Sequence, residues 1–598
     1  METILIDPTH FYYYQSLGIP TLVSYVRKKG HKVIPKMIDR EIHNYLFSKK
    51  ELDKVFERIM QKRKILLEKD KELKQAIDKK ALYYAEVCSL KKFGDNEHIS
   101  FDWILENQEI IKGIIRKAYD NAEKYYTTSG KEGFIACTDK LKFGAWLISL
   151  AYFPTTFSIG LGISMRYSPQ VIKDIMMAIN DREENFLIDY YQKETVPWLV
   201  KEGAGLIGIS MCHFSQFIPG FTLMNLIRQS GLSAHITVGG TAVTDVSKFL
   251  LRKNSLWDLF DSVVVGRGEY SLDALITYLE GEKGGGLDDV PNLIYKYNGE
   301  IKQSKVTRKF SIDDVVTPEF MEDRPYPFIP IETSVGCPYG RCAFCHYPFL
   351  QMEEWTDRPL CYQERSLDLV IDDIQKLNEK YKPLLFCFSD TSVPARRLEK
   401  IAEKIIERSL KISFWAFIRA EKDFLSLELC RKLAKAGFVG GHFGLESASQ
   451  RMNDLMDKGI DVNDVRRILR NFKEAGIIAN LFCIIGFPGE TREEAYATRD
   501  FIIENRKYLT GEISLAPFYL QLDTRIMKNP GKYKIRSVDR GDDLKLDLDY
   551  EVSEGLSQKE TLELLRQFYK ELDLTYASLK FLSQVIDRKF PTQDNTKD

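Results

Sequence analysis

The sequence has almost no net charge and few prolines and cysteines for its length. Its 85 Lys and Arg residues against 86 Asp and Glu give a formal net charge of -1. No global field therefore draws the chain to nucleic acid or to an anionic membrane, and we expect neither partner. One uncharged stretch, residues 143–165, is long enough to span a bilayer. Because proline, glycine and hydroxyl residues interrupt it, we expect this stretch to lie in a protein core.

The first residues lack the basic start and the long apolar segment of a signal peptide, which favours a cytoplasmic protein. A length of 598 residues is too great for one hydrophobic core, so two or three domains are expected. A hydrophobic content of 44% and a charged content of 29% exclude a disordered chain.

Cysteine is infrequent but unevenly distributed. Three of the ten cysteines, Cys337, Cys342 and Cys345, lie within nine residues, and the others are scattered through mostly apolar segments. The scattered cysteines are typical of core packing. The clustered three indicate metal ligation, since a reducing cytoplasm disfavours a disulfide framework.

Short apolar strands alternate with single helices in the first part of the chain. This alternation predicts a doubly wound, Rossmann-like parallel sheet with its ligand crevice at the carboxyl ends of the strands, in a domain over residues 1–284. A helical insertion interrupts it at about 41–201. The predicted strands are 4–7, 32–38, 206–210, 236–239 and 263–266.

The second part of the chain repeats the α/β alternation. Residues 285–327 lack clear periodicity, carry short strand-like pieces such as 292–297, and are predicted to be a linker. Residues 328–527 are predicted to form a second parallel α/β domain, either a full or a partial barrel. Residues 528–598 turn polar and then helical, with a helix expected at 558–587, and are predicted to be mostly helical.

The three clustered cysteines have the spacing C-x4-C-x2-C directly after a predicted strand. Three thiolates on one loop can hold three irons of a [4Fe–4S] cluster and leave the fourth iron open. A zinc site would need His346 as its fourth ligand, although adjacent Cys345 and His346 rarely point at one tetrahedral ion. A plant-type [2Fe–2S] site would use Cys361, but such ferredoxins are small independent modules.

This triplet, with Phe344 inside its last gap and α/β repeats after it, resembles the radical S-adenosylmethionine (SAM) superfamily over residues 332–520. The first gap is one residue longer than is usual there. The resemblance implies a partial (β/α)6 barrel, a [4Fe–4S] cluster ligated by the three cysteines, bound SAM, and an external electron donor of flavodoxin or ferredoxin type.

Further matches to this superfamily follow successive predicted strands. Asp390 and Glu446 could instead cap helices, but the ordered occurrence of the matches favours one common site. The resemblance implies SAM contacts from Phe344, Ser389, Asp390, Thr391, Arg419, Glu446, Ser447, Gly486 and Pro488.

The first domain resembles the cobalamin-binding domain often placed before such barrels. A dinucleotide fold is disfavoured because no G-x-G-x-x-G follows the first strand. The D-x-H-x-x-G motif of base-off cobalamin mutases is also unmatched, which leaves His10 and His213 as outside candidates for a cobalt ligand. The resemblance implies cobalamin contacts from Ser210, Gly239, Gly240, Thr241, Gly266, Gly268 and Glu269.

Together these resemblances imply a cobalamin-dependent radical SAM C-methyltransferase that uses methylcobalamin and acts on a peptide or small-molecule natural product. The sequence identifies no catalytic residue beyond the cofactor sites. One alternative keeps both cofactors but catalyses cyclisation, rearrangement or oxidation, and another is a non-catalytic cobalamin or iron–sulfur sensor. A transfer-RNA methylthiolation enzyme is disfavoured because Cys88, Cys137 and Cys212 are too dispersed to hold a second cluster.

Overall fold

The chain divides into two compact units. The first comprises residues 1–310 and 315–327, and the second comprises 311–314 and 328–598. A computed structural model describes residues 1–8, 16–68, 70–88, 100–128, 131–158, 162–252, 255–281, 285–306, 311–321, 326, 328–346, 362–383, 385–539, 541 and 544–574.

A seven-stranded sheet forms the centre of the first unit. Its order is β2-β1-β5-β6-β7-β8-β9, and the pairs from β2 to β7 are parallel, which confirms the predicted doubly wound sheet. Ile4 and Ile207 are paired and fully buried. The strands of this unit are β1 (Glu2–Asp7), β2 (Val33–Met37), β3 (Thr156–Ser158), β4 (Gly162–Ser164), β5 (Ala204–Ser210), β6 (His235–Gly239), β7 (Ser262–Val264), β8 (Leu293–Tyr297) and β9 (Glu300–Gln303).

Between β2 and β5 the described residues are mostly helical, and β3 pairs antiparallel with β4. Phe143 and Trp146 of the uncharged stretch are buried in this unit, as expected. None of the helices in the described residues combines the length and apolar character needed to cross a membrane. The helices of the first unit are α1 (Gly18–Lys28), α2 (Ile38–Leu46), α3 (Lys49–Arg63), α4 (Lys71–Val87), α5 (Phe101–Glu106), α6 (Gln108–Thr128), α7 (Lys131–Ala151), α8 (Ile172–Ala178), α9 (Leu187–Tyr190), α10 (Val196–Glu202), α11 (Phe217–Gln229), α12 (Thr241–Asp245), α13 (Ser247–Leu250) and α14 (Glu269–Leu279).

The predicted linker at 285–327 is wrong in part, because β8 and β9 extend the first sheet. β8 pairs antiparallel with β7 and β9 pairs antiparallel with β8. The two-residue turn between them is Asn298-Gly299, and both residues have positive φ. This dipeptide is a strong local hairpin signal, so the sequence did carry information about this element.

Six parallel strands form the sheet of the second unit. Their order, β10-β13-β14-β15-β16-β17, follows the chain and is that of a partial (β/α)6 barrel. A separate antiparallel pair consists of β11 (Ser334–Val335) and β12 (Gln363–Glu364). The six strands of the sheet are β10 (Phe328–Ile331), β13 (Leu385–Phe388), β14 (Phe414–Phe417), β15 (Phe438–Glu446), β16 (Ile478–Ile485) and β17 (Ile513–Pro517). The helices between them are α15 (Leu367–Tyr381), α16 (Ala395–Glu407), α17 (Leu427–Lys435), α18 (Gln450–Leu455), α19 (Val462–Ala475) and α20 (Arg492–Asn505).

The prediction of a mostly helical region after residue 527 is wrong for its first half. Two strands lie there, β19 (Ile535–Asp539) and β20 (Asp547–Val552), and β20 also pairs with the preceding β18 (Leu520–Gln521), which gives a three-stranded antiparallel sheet. Buried Leu548 and Tyr550 alternate with polar residues on β20, a short period-two pattern within a polar segment. Two helices, α21 (Arg525–Lys528) and α22 (Gln558–Glu571), accompany this sheet.

Candidate functional site

Asp390 fastens the start of the cysteine loop to the neighbouring strand end. Its buried carboxylate accepts hydrogen bonds from the Thr333 N–H (3.2 Å), the Thr333 hydroxyl (2.8 Å) and the Ser334 hydroxyl (2.5 Å). Burial raises the pKa of Asp390 to about 6. Beside it, the Ser389 N–H donates to the Ile331 carbonyl (2.9 Å). Asp390 and Ser389 therefore brace the loop internally, and contact between SAM and these residues or half-buried Thr391 stays a prediction.

The three clustered cysteines lie on one loop, with Cys342 buried and Cys337 and Cys345 half-buried. Gly336 and Gly340 turn the loop at positive φ. Among the described residues, no three His, Cys, Asp or Glu side chains converge as a metal-binding group. The structure thus places the three thiols on a shared loop, and their role as a joint ligand set stays a prediction.

Two buried cations lie beside Cys342. Arg419, which follows β14, donates from Nη1 to Cys342 Sγ at 3.8 Å and stacks on the Tyr339 ring at 3.8 Å. It also donates to the backbone carbonyl of Lys458. Burial raises the pKa of Cys342, while Lys458 and Arg419 act in the opposite direction. These cations suit a thiolate and the negative charge of a thiolate-ligated iron–sulfur cluster, so the residues fit that group.

Glu446 and Lys458 form a buried ion pair at the end of β15. The Lys458 Nζ donates to Glu446 Oε1 at 2.5 Å. Burial alone would lower the pKa of Lys458, but the Glu446 carboxylate and the Cys342 thiol give a net rise. A Cβ atom at Gly444 would lie 1.9 Å from Glu446 Oε1 and 2.8 Å from Lys458 Nζ, so the ion pair occupies the space over this glycine. A carboxylate beside an ammonium complements the charged ends of an amino acid.

Phe344 lies next to this pair, with Lys458 Nζ 5.8 Å from its ring centroid. Lys458 and Tyr339 were not predicted as site residues. The local sequence does not distinguish Lys458 from the other basic residues. Its place in the site depends on its contact with Glu446, twelve residues earlier at the end of β15.

A buried carboxylic acid joins the loops after β15 and β16. Glu490 Oε2 accepts from the Gly486 N–H (2.5 Å) and Oε1 accepts from the Ser447 hydroxyl (3.5 Å). Burial raises the pKa of Glu490 to about 8. A Cβ atom at Gly486 would lie 2.1 Å from Thr561 Oγ1, so this loop packs closely on α22. Ser447, Gly486 and buried Pro488 therefore belong to one braced edge.

The carboxyl ends of β5, β6 and β7 meet at one edge of the first sheet, where the predicted cobalamin residues lie. Gly240 has φ 107°, and a Cβ atom there would lie 2.5 Å from the Met211 carbonyl oxygen. The Thr244 hydroxyl accepts from the Gly266 N–H and donates to the Gly240 carbonyl, both at 3.0 Å. Thr244, which was not predicted, thus ties the loops that carry Gly239, Gly240, Thr241 and Gly266.

Glu269 does not face an open edge. Its buried carboxylate is paired with Arg267 Nη2 at 2.7 Å, and Gly268 packs against Leu22. An internal ion pair explains Glu269 without a ligand, so its predicted contact with cobalamin has no direct support in this geometry.

A second unpredicted residue, Gln216, joins the ends of β1 and β5. Its side-chain amide donates to Asp7 Oδ1 (2.7 Å) and accepts from the Cys212 N–H (2.7 Å). Half-buried Ser210 and exposed His213 flank this junction, whereas His10 lies outside the described residues.

Comparison with known proteins identifies the domain around the cysteine loop. Residues 331–502 match the radical SAM superfamily. The chain is 27% identical over half its length to an uncharacterised methyltransferase of Pyrococcus horikoshii, and 26% identical over 40% of its length to the anaerobic magnesium-protoporphyrin IX monomethyl ester cyclase of Rubrivivax gelatinosus. The matched regions span 63% and 44% of these relatives.

The fold is also similar to a solved structure, that of the cobalamin-dependent radical SAM enzyme OxsB with aqua-cobalamin bound. The TM-score is 0.50 at 19% identity, with 67% of this chain and 64% of that chain covered. The family match over residues 331–502 implies a [4Fe–4S] cluster and SAM as cofactors. This match favours that cluster over the zinc and [2Fe–2S] alternatives.

Proposed function

We propose that this protein is a cobalamin-dependent radical SAM C-methyltransferase that modifies an unactivated carbon of a peptide or small-molecule substrate. The observation that carries the proposal is the buried group of Arg419, Lys458 and Glu446 around the Cys342 thiol at one strand edge of a radical SAM domain. The family of this domain supports radical chemistry, and the relative named a methyltransferase supports methyl transfer.

When bound, the cluster and SAM supply a 5′-deoxyadenosyl radical, and cobalamin supplies a methyl carrier. Cys337, Cys342 and Cys345 hold the cluster. Glu446 would complement the amino group of SAM and Lys458 its carboxylate, so the two residues would orient one end of SAM.

The remaining residues of this edge keep the loops in place. Arg419 compensates the negative charge at Cys342 from within the protein, where few waters compete for it. Asp390 and Glu490 brace the cysteine loop and the last two strand ends through buried hydrogen bonds. An external electron donor of flavodoxin or ferredoxin type supplies the electron.

The first unit holds cobalamin at the edge formed by β5, β6 and β7. Gly239, Gly240 and Gly266 lack side chains there, so backbone can approach a bulky nucleotide tail closely. Fold similarity to the OxsB structure supports this assignment.

Cyclisation or oxidation with the same cofactors is the second candidate, since one relative is named a cyclase. Anaerobic reconstitution with [4Fe–4S], cobalamin and methyl-¹³C-labelled SAM separates the candidates. We expect absorption spectra of both cofactors, formation of 5′-deoxyadenosine and S-adenosylhomocysteine, and a product heavier by one labelled CH2. Loss of hydrogen without added carbon supports cyclisation or oxidation. Absence of SAM cleavage with candidate substrates supports the sensor alternative.

A further inference from the structure

The two faces of the second sheet carry different kinds of aromatic packing. On the outer face, Phe414, Phe438 and Phe443 are at most 1% exposed. Phe438 and Phe443 pack on Phe472 of α19, with ring centroids 6.5 Å and 6.1 Å apart. Trp415 follows Phe414 and His442 precedes Phe443, so these two neighbours point to the opposite face, because successive strand residues alternate. The pairing of β14 with β15 shifts register between Phe438 and Gly440, which lets Phe438 and Phe443 share the outer face. The outer face is therefore filled by helices.

The inner face carries four aromatic side chains that are only half-buried, from three adjacent strands. His442 lies at their centre, with its ring centroid 4.5 Å from Trp415, 5.3 Å from Phe417 and 5.8 Å from Phe482. Trp415 and Phe417 also contact each other at 5.1 Å. We call these four residues the aromatic floor: Trp415, Phe417, His442 and Phe482.

The aromatic floor adjoins the proposed SAM residues on the same face. Gly444 lies two residues after His442 and pairs with Phe482. The Cβ direction of Gly444 points at Glu446 and Lys458, which places this ion pair over the same face. Two residues of a strand span about 7 Å. The aromatic floor therefore begins about 7 Å along the strand from the residue that faces the Glu446–Lys458 ion pair.

His442 gives the floor one polar position. Burial lowers the pKa of His442 to about 4, so the imidazole is neutral at pH 7, with one donor and one acceptor nitrogen. In the part of the chain that the structure describes, its ring lies against the three aromatic rings, and the structure shows no hydrogen bond to the imidazole; the His442 backbone carbonyl accepts from the Ile418 N–H.

We propose that the aromatic floor binds a planar aromatic ring of the substrate, either in a free small molecule or in a peptide side chain. This inference rests on the proposed function, since it names the class of substrate for that site. Aromatic rings prefer edge or offset contacts with other rings, and the four tilted rings present such contacts, whereas a saturated ring of equal size gains only from burial. The His442 nitrogens can also hydrogen-bond a ring N–H or hydroxyl.

Binding of three probes to the full-length protein tests the inference without any turnover. The probes are free indole, the tripeptide Gly-Phe-Gly, and the same tripeptide with cyclohexylalanine in place of phenylalanine, each measured by saturation-transfer NMR and calorimetry. We expect the phenylalanine peptide to bind about three- to tenfold more tightly than the cyclohexyl peptide. Equal affinities, or no binding of any probe at its solubility limit, would overturn the inference.

Comparison of the two aromatic probes distinguishes the two sources of the ring. Tighter binding of the phenylalanine peptide indicates a peptide substrate, and tighter binding of indole indicates a small molecule. Either result supports the floor when the cyclohexyl peptide binds more weakly than the phenylalanine peptide.

Three variants locate the binding site. His442→Leu and Phe482→Leu should each remove the preference for the aromatic probe, and His442→Gln should retain part of it through its amide. The matched control is Tyr297→Leu in the first unit, whose aromatic ring is 52% exposed and should not affect binding. Unchanged preference in both leucine variants, with intact cluster absorption as the folding control, would contradict the assignment.

Failure of this inference is distinguishable from failure of the proposed function. Formation of 5′-deoxyadenosine without aromatic preference refutes the floor alone. Aromatic preference that depends on His442 in a protein that never cleaves SAM refutes the function alone.

Discussion

The carboxyl edges of the two sheets differ in what they offer a ligand. The edge of the second sheet presents buried charge, with Arg419, Glu446 and Lys458 gathered at the Cys342 thiol. The edge of the first sheet presents glycines, hydroxyls and backbone around Gly240. Glu269, its buried carboxylate there, is already paired with Arg267.

This difference indicates two modes of recognition built on similar parallel strands. Glu446 and Lys458 are paired with each other, and side by side they present the two opposite charges that complement a small zwitterion. Glycines and hydroxyls select shape, because they allow close approach of backbone to a large ligand. Substitutions at one edge should therefore weaken binding at that edge and leave binding at the other edge unchanged.

The largest expected effect comes from Cys342→Ala. Loss of one of three thiolate ligands should lower the iron content and reduce SAM cleavage at least about 100-fold. This is more than is lost when a residue that only hydrogen-bonds to a metal ligand is removed. Cobalamin retention should be unchanged. Iron assay and 5′-deoxyadenosine quantification measure this, with Cys430→Ala, a buried cysteine outside the loop, as the control. Retained SAM cleavage in the Cys342 variant would contradict the ligand assignment.

The next effect is expected for Lys458→Met. Removing the ammonium leaves Glu446 buried without its partner and deprives the SAM carboxylate of a cation, so SAM affinity should fall about 10- to 100-fold. Equilibrium dialysis with labelled SAM measures the affinity, and iron content should stay near that of the unsubstituted protein. Lys458→Arg should recover part of the affinity. Equal loss in the Arg and Met variants would indicate a packing role instead.

Gly240→Ala should weaken binding at the carboxyl edge of the first sheet and leave the edge of the second sheet unchanged. The added methyl would meet the Met211 carbonyl oxygen at 2.5 Å, and the positive φ adds a strain of about 1–2 kcal/mol. We expect about tenfold weaker cobalamin binding, followed by absorption titration, with unchanged iron content. Gly231→Ala is the matched control, since Gly231 has φ 75° with open space around its Cβ position. Equal effects of the two substitutions would contradict the role of close approach.

An effect on stability alone, with none expected on cofactor binding, concerns Glu490→Gln, which tests the hydrogen bonds that hold the loops after β15 and β16 together. The pKa of Glu490 is raised from 4.5 to about 8 by burial, so the folded protein keeps its proton while the unfolded chain releases it. Glu490 therefore costs stability increasingly from pH 4.5 to about 8, and the cost is constant above that. The Gln variant should gain stability relative to the unsubstituted protein by up to a few kcal/mol across this window. Denaturation curves of both proteins at pH 5 and pH 8 measure this effect. The same difference in unfolding free energy between the two proteins at both pH values would contradict the prediction.

Much of the fold was predictable because it depends on local pattern. Alternating apolar strands and helices identified both sheets, and the C-x4-C-x2-C spacing identified the cysteine loop. The hairpin at Asn298-Gly299 had a local signal, but its strands are only four and five residues long. Short strands in polar segments are hard to distinguish from loops.

The arrangement of the site depends on contacts between residues that are distant in sequence. Arg419 and Cys342 are 77 residues apart, and the Asp390 carboxylate bonds residues more than fifty positions earlier. The four side chains of the aromatic floor likewise become neighbours only through the pairing of β14, β15 and β16. The sequence pattern of one strand does not predict which residues of the neighbouring strands lie opposite it. These groups of residues are therefore known only from the strand register in the structure.

Electron paramagnetic resonance of the reduced, reconstituted protein tests the central claim most directly, namely that three thiols hold an iron–sulfur cluster with an open site for SAM. A [4Fe–4S]⁺ signal should appear and should change on addition of SAM, and both features should be lost in the Cys342→Ala variant. A protein that binds only zinc, or a cluster signal that stays the same with SAM present, would contradict the account.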